Sequence, residues 1–227
     1  MTKTPRPGEF RDAPSPDETT RQRTDPAEDE SRSPRPSKEL VRSYQLFREY
    51  FQPKTGVIYY PSCGYDTSAT VAFPGSRVIY VDLDTHVVGE LQRIGLEVHR
   101  ADALEYKPDL PVDIAVLQNP QFGSEGVKQI MDSIKEGGYL FCNNYLRTAF
   151  EASANQNFEL VAAIKTPNDN EPMQFDTNPS RDYLEPVGSP ENKSEFVFPK
   201  AKKQASYFVF RRKIQSKNQA DLVSSNN

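Results

Sequence analysis

The chain has 227 residues, of which 36% are hydrophobic and 26% charged, with a formal net charge of −4. A mildly acidic chain argues against a nucleic-acid binder that relies on a basic surface. No apolar run reaches the ~18 residues of a membrane span. The first 38 residues hold seven prolines, eight Lys/Arg, eight Asp/Glu and one aromatic, Phe10. Such a segment buries too little apolar surface to offset its ordering entropy, so residues 1–37 read as a disordered tail. It has no apolar signal-peptide core, and no secretory signal is expected.

After the tail, Ser37 is placed to cap a helix. Leu40, Tyr44, Phe47 and Phe51 form one apolar face over residues 38–52, and Pro53 and Gly56 end it. Val57–Tyr60 is a short strand, stopped by Pro61. The turn Ser62-Cys63-Gly64-Tyr65-Asp66 leads into a short helix over Thr67–Phe73, ended by Pro74-Gly75. Arg77–Val81 is a second strand closing on Asp82-Leu83-Asp84. Thr85 is expected to cap the next helix, which carries Val87, Val88, Leu91 and Ile94 and stops at Gly95. Leu96–Arg100 is a third strand, followed by Ala101-Asp102-Ala103.

Val112–Leu117 is a fourth strand, running into Gln118-Asn119-Pro120-Gln121-Phe122. A helix over 125–135 precedes Gly137-Gly138, and Tyr139–Cys142 is a fifth strand. A helix over Tyr145–Ala154 and a sixth strand over Phe158–Ile164 follow. Residues 165–205 differ in character, with six prolines and many polar residues. A ~40-residue connection is far longer than usual. Met173, Phe175, Tyr183, Leu184, Phe196 and Phe198 give it something to bury, so partial order is expected. Ser206–Phe210 is the last strand, and 213–227 reads as a flexible tail. The domain is therefore expected over 38–212, with 165–205 inserted between its last two strands.

Strands alternating with helices argue for an α/β sandwich with a mainly parallel sheet. Ligands bind such sheets beyond the carboxyl ends of the strands. Four positions there carry chemistry, each with a plainer reading beside it. Gly64 lets backbone approach a ligand at a strand-to-helix turn, or serves an ordinary turn. Asp82, 18 residues later, suits the two hydroxyls of a ribose, or caps a helix. Asp102 suits an exocyclic amine of a base, or is a solvated loop acid. Asn119 suits a planar amine, or starts a turn with Pro120. Cys63 precedes a helix N-terminus, where a thiol pKa can fall, although small-residue packing explains it as well. Cys63 and Cys142 do not make a disulfide framework and suit a reducing cytoplasm. His86 and His99 cannot build a His-rich metal site, and no metal is expected.

Taken in order — turn, ribose acid, base acid, polar floor — these segments resemble the class I S-adenosylmethionine-dependent methyltransferases. The resemblance covers about residues 55–164 and the last strand. It implies a three-layer Rossmann-like sandwich with a mainly parallel seven-stranded sheet. Its antiparallel C-terminal hairpin would match Phe158–Ile164 and Ser206–Arg212. It implies S-adenosyl-L-methionine as cofactor and an unidentified methyl acceptor as partner. The cofactor-binding positions it implies are Tyr60, Ser62, Cys63, Gly64, Asp82, Leu83, Asp102, Ala103 and Asn119. The loop departs from the family pattern: Ser62 and Asp66 stand where glycines are usual, and Tyr60 replaces an acid. Asn119-Pro120-Gln121-Phe122 resembles the Asn-Pro-Pro-Tyr/Phe motif of amino-group methyltransferases at three of four positions. No catalytic residue is assigned. The competing readings are a catalytically inactive Rossmann-like binding or scaffold module and a nicotinamide-dependent oxidoreductase. The latter is disfavoured because the loop lacks the three-glycine phosphate fingerprint.

Overall fold

A computed structural model describes residues 33–118, 122–143, 152, 154–166, 173–179 and 205–215. Among the described residues the first helix, α1, runs over Lys38–Phe51, and the Ser37 hydroxyl accepts from Leu40 N–H as its N-cap. Its face of Leu40, Tyr44 and Phe47 is buried on the sheet. Tyr44 meets Phe141 edge-on at 4.6 Å and Phe47 meets Tyr139 at 5.1 Å, contacts that suit aromatic quadrupoles.

Strand β1 (Val57–Pro61) is followed by α2 (Ser68–Ala72), β2 (Arg77–Asp82) and α3 (Thr85–Arg93). The cap of α3 is Asp84 and not the expected Thr85: its Oδ1 accepts from His86 and Val87 N–H. A carboxylate there also complements the helix dipole, which a threonine hydroxyl does less well. Strand β3 (Val98–Arg100) is shorter than expected, and β4 (Val112–Leu117) is as read. Helix α4 (Ser124–Ser133) ends two residues early, because strand β5 (Ile134–Asn143) begins at once. The ladder between β4 and β5 jumps from Ile134 to Tyr139, so Gly137-Gly138 lies in a bulge inside the strand. A Cβ on Gly138 would sit 2.8 Å from the Asp113 carbonyl oxygen and 2.9 Å from that of Lys135, so the backbones approach too closely for a side chain.

Strand β6 (Phe158–Lys165) is followed by a short β7 (Gln174–Asp176), and β8 (Tyr207–Arg212) is last. The sheet has eight strands in the order β3-β2-β1-β4-β5-β8-β6-β7. The first five pair in parallel, while β8 runs antiparallel between β5 and β6. The additional strand β7 comes from the long connection. It pairs antiparallel with β6 at the sheet edge, and Phe175 stacks on Tyr50 at 4.5 Å.

Alternate side chains of the same strands feed two cores. Ile58, Tyr60, Val78, Tyr80, Ile114 and Phe141 pack under α1, α2 and α3. Val57, Tyr59, Ile79, Val81, Leu117 and Leu140 pack against Val127, Ile130 and Met131 of α4. This burial on both faces gives the three-layer sandwich and explains the near-continuous apolar strands. The helix expected over 145–154 lies outside the described residues apart from Ala152 and Ala154, which are helical, Ala152 being buried. Residues 1–32 and 216–227 lie outside them too. At the other end of the tail, Arg35 forms a parallel bridge with Asp66, so structure begins before Lys38. Among the described residues no helix is long and apolar enough to cross a membrane.

Candidate functional site

The turn after β1 is held in a shape that its sequence partly resists. Ser62 has φ 51° and Gly64 φ 53°, both left-handed. Glycine adopts this freely and serine at a cost, so the serine is not in the ordinary torsions that would make it a neutral replacement. A Cβ at Gly64 would meet nothing within 4 Å, so the torsion and not crowding accounts for glycine there.

Asp82, at the end of β2, fastens this turn. Gly64 N–H donates to its Oδ2 at 2.9 Å, and Asp84 N–H donates to its Oδ1 at 3.0 Å. A carboxylate offers about four acceptor positions; with the weak Cys63 thiol contact counted as well, about one remains for a ligand, on Oδ1. Cys63 Sγ lies 4.0 Å from the same Oδ2. Burial, and then the Asp82 charge, push the Cys63 thiol pKa well up, so the helix-side position does not activate it.

Asp66, where the resembled family usually has glycine, is a structural acceptor. Its Oδ2 takes the Tyr60 hydroxyl at 2.9 Å, and its Oδ1 takes Ser68 N–H and the Ser68 hydroxyl. Tyr60 is almost fully buried. Burial is the largest cause holding its phenol protonated, with the nearby Tyr44 and Asp66 adding to it. The Tyr65 hydroxyl and His86 Nδ1 are hydrogen-bonded at 2.7 Å, tying the turn to the first turn of α3.

A cleft of about 620 Å³ opens beside this turn. Tyr60, Ser62, Cys63 and Gly64 line it together with Tyr65 and Asp66. Its other walls come from Glu39 and Leu40 of α1, Gln118 after β4, Asn143 at the end of β5, and Ser206 and Tyr207 at β8. The Tyr207 hydroxyl donates to Glu39 Oε1 at 2.9 Å and so joins two of those walls. Two carboxylates, Asp66 and Glu39, face the space, and no Lys or Arg is among the described residues lining it.

Asp82, Leu83, Asp102 and Ala103 are not among the residues that line this cleft. Asp82 stands behind Gly64, and Leu83 beside it is exposed. Asp102 Oδ1 accepts from Leu104 N–H at 2.9 Å. Ala103 is buried, and its carbonyl accepts from the Tyr59 hydroxyl. Asn119, with Pro120 and Gln121, lies outside the described residues. Glu39, Gln118, Asn143 and Tyr207 were not singled out from sequence. Gln118 and Asn143 follow the rule that strand ends carry the site, which would have found them. Glu39 and Tyr207 arrive only through the docking of α1 and β8.

No family model matches the chain, and no curated protein sequence matches it. Among solved structures, it is similar to the N-methyltransferase NodS from Bradyrhizobium japonicum WM9. The identity is 9% and the TM-score 0.50, over 78% of this chain and 99% of that one. A methyltransferase from Geobacter sulfurreducens aligns at 15% identity and TM-score 0.49, over 83% of this chain and 85% of that one. At such identities the likeness speaks to architecture and not to activity. With the strand order and the two-sided core, it shows that the chain has the Rossmann-like fold of the class I S-adenosylmethionine-dependent methyltransferases.

Proposed function

We propose that the chain binds S-adenosyl-L-methionine in this cleft and transfers its methyl group to an acceptor. The observation that carries the reading is the bond from Gly64 N–H to Asp82 Oδ2, which joins the turn after β1 to the acid after β2 beside the cleft. The cofactor supplies an electrophilic methyl on a sulfonium, which becomes a thioether as the acceptor forms the new bond to carbon.

The residues fit that group. Asp82 keeps about one acceptor position, on Oδ1, for a ribose hydroxyl, and a second hydroxyl would take the place of the weak Cys63 thiol contact on Oδ2. Leu83, Asp102 and Ala103 follow β2 and β3 along the same sheet edge, where the base would extend, and Asp102 suits its exocyclic amine. Tyr60, Ser62, Cys63 and Gly64 line the cleft for the amino-acid end, and Gln118 lines it from the end of β4. Asp66 and Glu39 lend negative charge that complements a sulfonium and an ammonium. The volume lies within the range of small-molecule sites, roughly 300–1,000 Å³. The raised pKa values of Cys63 and Tyr60 keep both protonated and argue against a covalent intermediate on either. The chain's contribution is to hold and orient the two reactants.

Calorimetric titration with S-adenosyl-L-homocysteine tests the reading. Wild type should bind and Asp82→Ala should bind at least about tenfold more weakly, since hydrogen bonds to a charged acceptor are each worth about 1.5–3 kcal/mol. NAD serves as the competitor. Absence of heat with wild type, or tighter binding of NAD, would overturn it.

A further inference from the structure

The residues just before α1 are stitched to the turn that borders the cleft. Arg35 N–H donates to the Tyr65 carbonyl at 3.0 Å, and Thr67 N–H donates to the Arg35 carbonyl at 3.3 Å. Two residues on, Ser37 N–H donates to Ser68 Oγ at 2.8 Å. The sequence Pro34-Arg35-Pro36 favours this arrangement. Prolines lack an N–H, so between them only Arg35 offers a complete donor and acceptor pair. A residue before proline is biased to extended backbone, so little entropy is lost when Arg35 pairs. The chain then turns into α1, whose Glu39 and Leu40 form another wall of the cleft. One stretch of six residues thus joins the turn to the wall across from it.

We propose that Arg35–Ser37 is a strap that positions the turn after β1, so that seating of the strap and occupancy of the cleft favour one another. The coupling part of this rests on the cofactor reading above. Arg35 is a positioning residue that acts through its backbone, and its exposed side chain is dispensable. Because coupling is reciprocal, whatever seats or lifts the strap changes affinity in the cleft by the same factor.

The test uses two full-length variants. Arg35→Pro removes the N–H that bonds Tyr65, while Arg35→Ala keeps both backbone groups. Arg35→Pro should bind S-adenosyl-L-homocysteine about three- to tenfold more weakly than wild type, the worth of one net backbone hydrogen bond. Arg35→Ala should bind within twofold of wild type. Amide exchange supplies a readout that needs no ligand: the Thr67 N–H should exchange faster in Arg35→Pro than in wild type or Arg35→Ala. Equal affinity and equal Thr67 exchange in all three proteins would overturn the strap. So would Arg35→Ala as weak as Arg35→Pro, or loss of a cooperative urea transition in Arg35→Pro, which would make the segment part of the core. If wild type binds no S-adenosyl-L-homocysteine, the cofactor reading and the coupling fall together. Thr67 exchange then still decides whether the strap positions the turn.

Discussion

Ser62→Gly should stabilise the protein, although it removes a side chain. Serine at φ 51° carries the left-handed penalty of an L-residue, about 1–2 kcal/mol. Glycine removes that penalty but frees the unfolded chain, which offsets about 0.4–1 kcal/mol. The net gain is about 0.8 kcal/mol, which for a domain of this size raises Tm by about 2–3 °C. Ser62→Ala keeps the left-handed penalty and should be nearly neutral. Gly64→Ala is the mirror case: φ is 53° and a Cβ there meets nothing within 4 Å, so the same terms change sign. It should lose about 0.8 kcal/mol while its N–H still bonds Asp82. Urea midpoints at constant m-value measure all three. Ser62→Gly destabilising by more than about 0.5 kcal/mol would refute the reasoning, because the hydroxyl would then be holding the turn instead of straining it.

Two further outcomes concern the rest of the domain. Asp113 is a buried acid whose Oδ2 accepts from Val57 N–H at 2.8 Å and whose Oδ1 pairs with Lys135. Asp113→Ala should lose about 2–3 kcal/mol by urea titration, chiefly the stranded Val57 N–H, since Lys135 can turn to water. Asp113→Asn, which keeps an acceptor, should lose clearly less. Glu97 accepts from Arg77 Nε and Nη2, which holds its carboxyl below the ordinary value of 4.5. Its contribution to stability is therefore complete above about pH 4.5 and fades as pH falls through the lowered value. Glu97→Gln should flatten the loss of stability of wild type in that acid window; an unchanged pH profile would contradict the pairing.

Much of the sheet was legible because local pattern and burial agree. Strands β1, β2 and β4 are short runs rich in β-branched residues, β1 closed by Pro61 and β2 by Asp82, and α1 announces itself through Leu40, Tyr44, Phe47 and Phe51. Strand β7 was not legible. Three residues in a proline-rich stretch carry no period, and Gln174–Asp176 extends only because the outer edge of β6 accepts it. The α4–β5 junction differs from the sequence pattern because Ile134 fits a helical face as well as a strand, and its pairing with Val112 makes it strand. A charge inside the otherwise apolar β4 could have signalled Asp113 as a structural partner.

For the site, the rule that ligands meet strand ends led to the turn at Ser62–Gly64 and to Asp82, which the fold brings together. It did not reveal that Asp82 spends two acceptor positions on backbone, or that Asp66 is committed to Tyr60 and Ser68. Those bonds follow from three-dimensional approach and not from spacing. Glu39 and Tyr207 stand 168 residues apart in sequence, and only the docked helix and the last strand make them neighbours.

A crystal structure of the protein grown with S-adenosyl-L-homocysteine tests the central claim most directly. Density for the ribose should lie on Asp82, and density for the amino-acid end should run past Gly64 into the cleft beside Asp66. A fully ordered turn at residues 62–66 with no ligand density there, or ligand bound elsewhere on the sheet, would contradict the account.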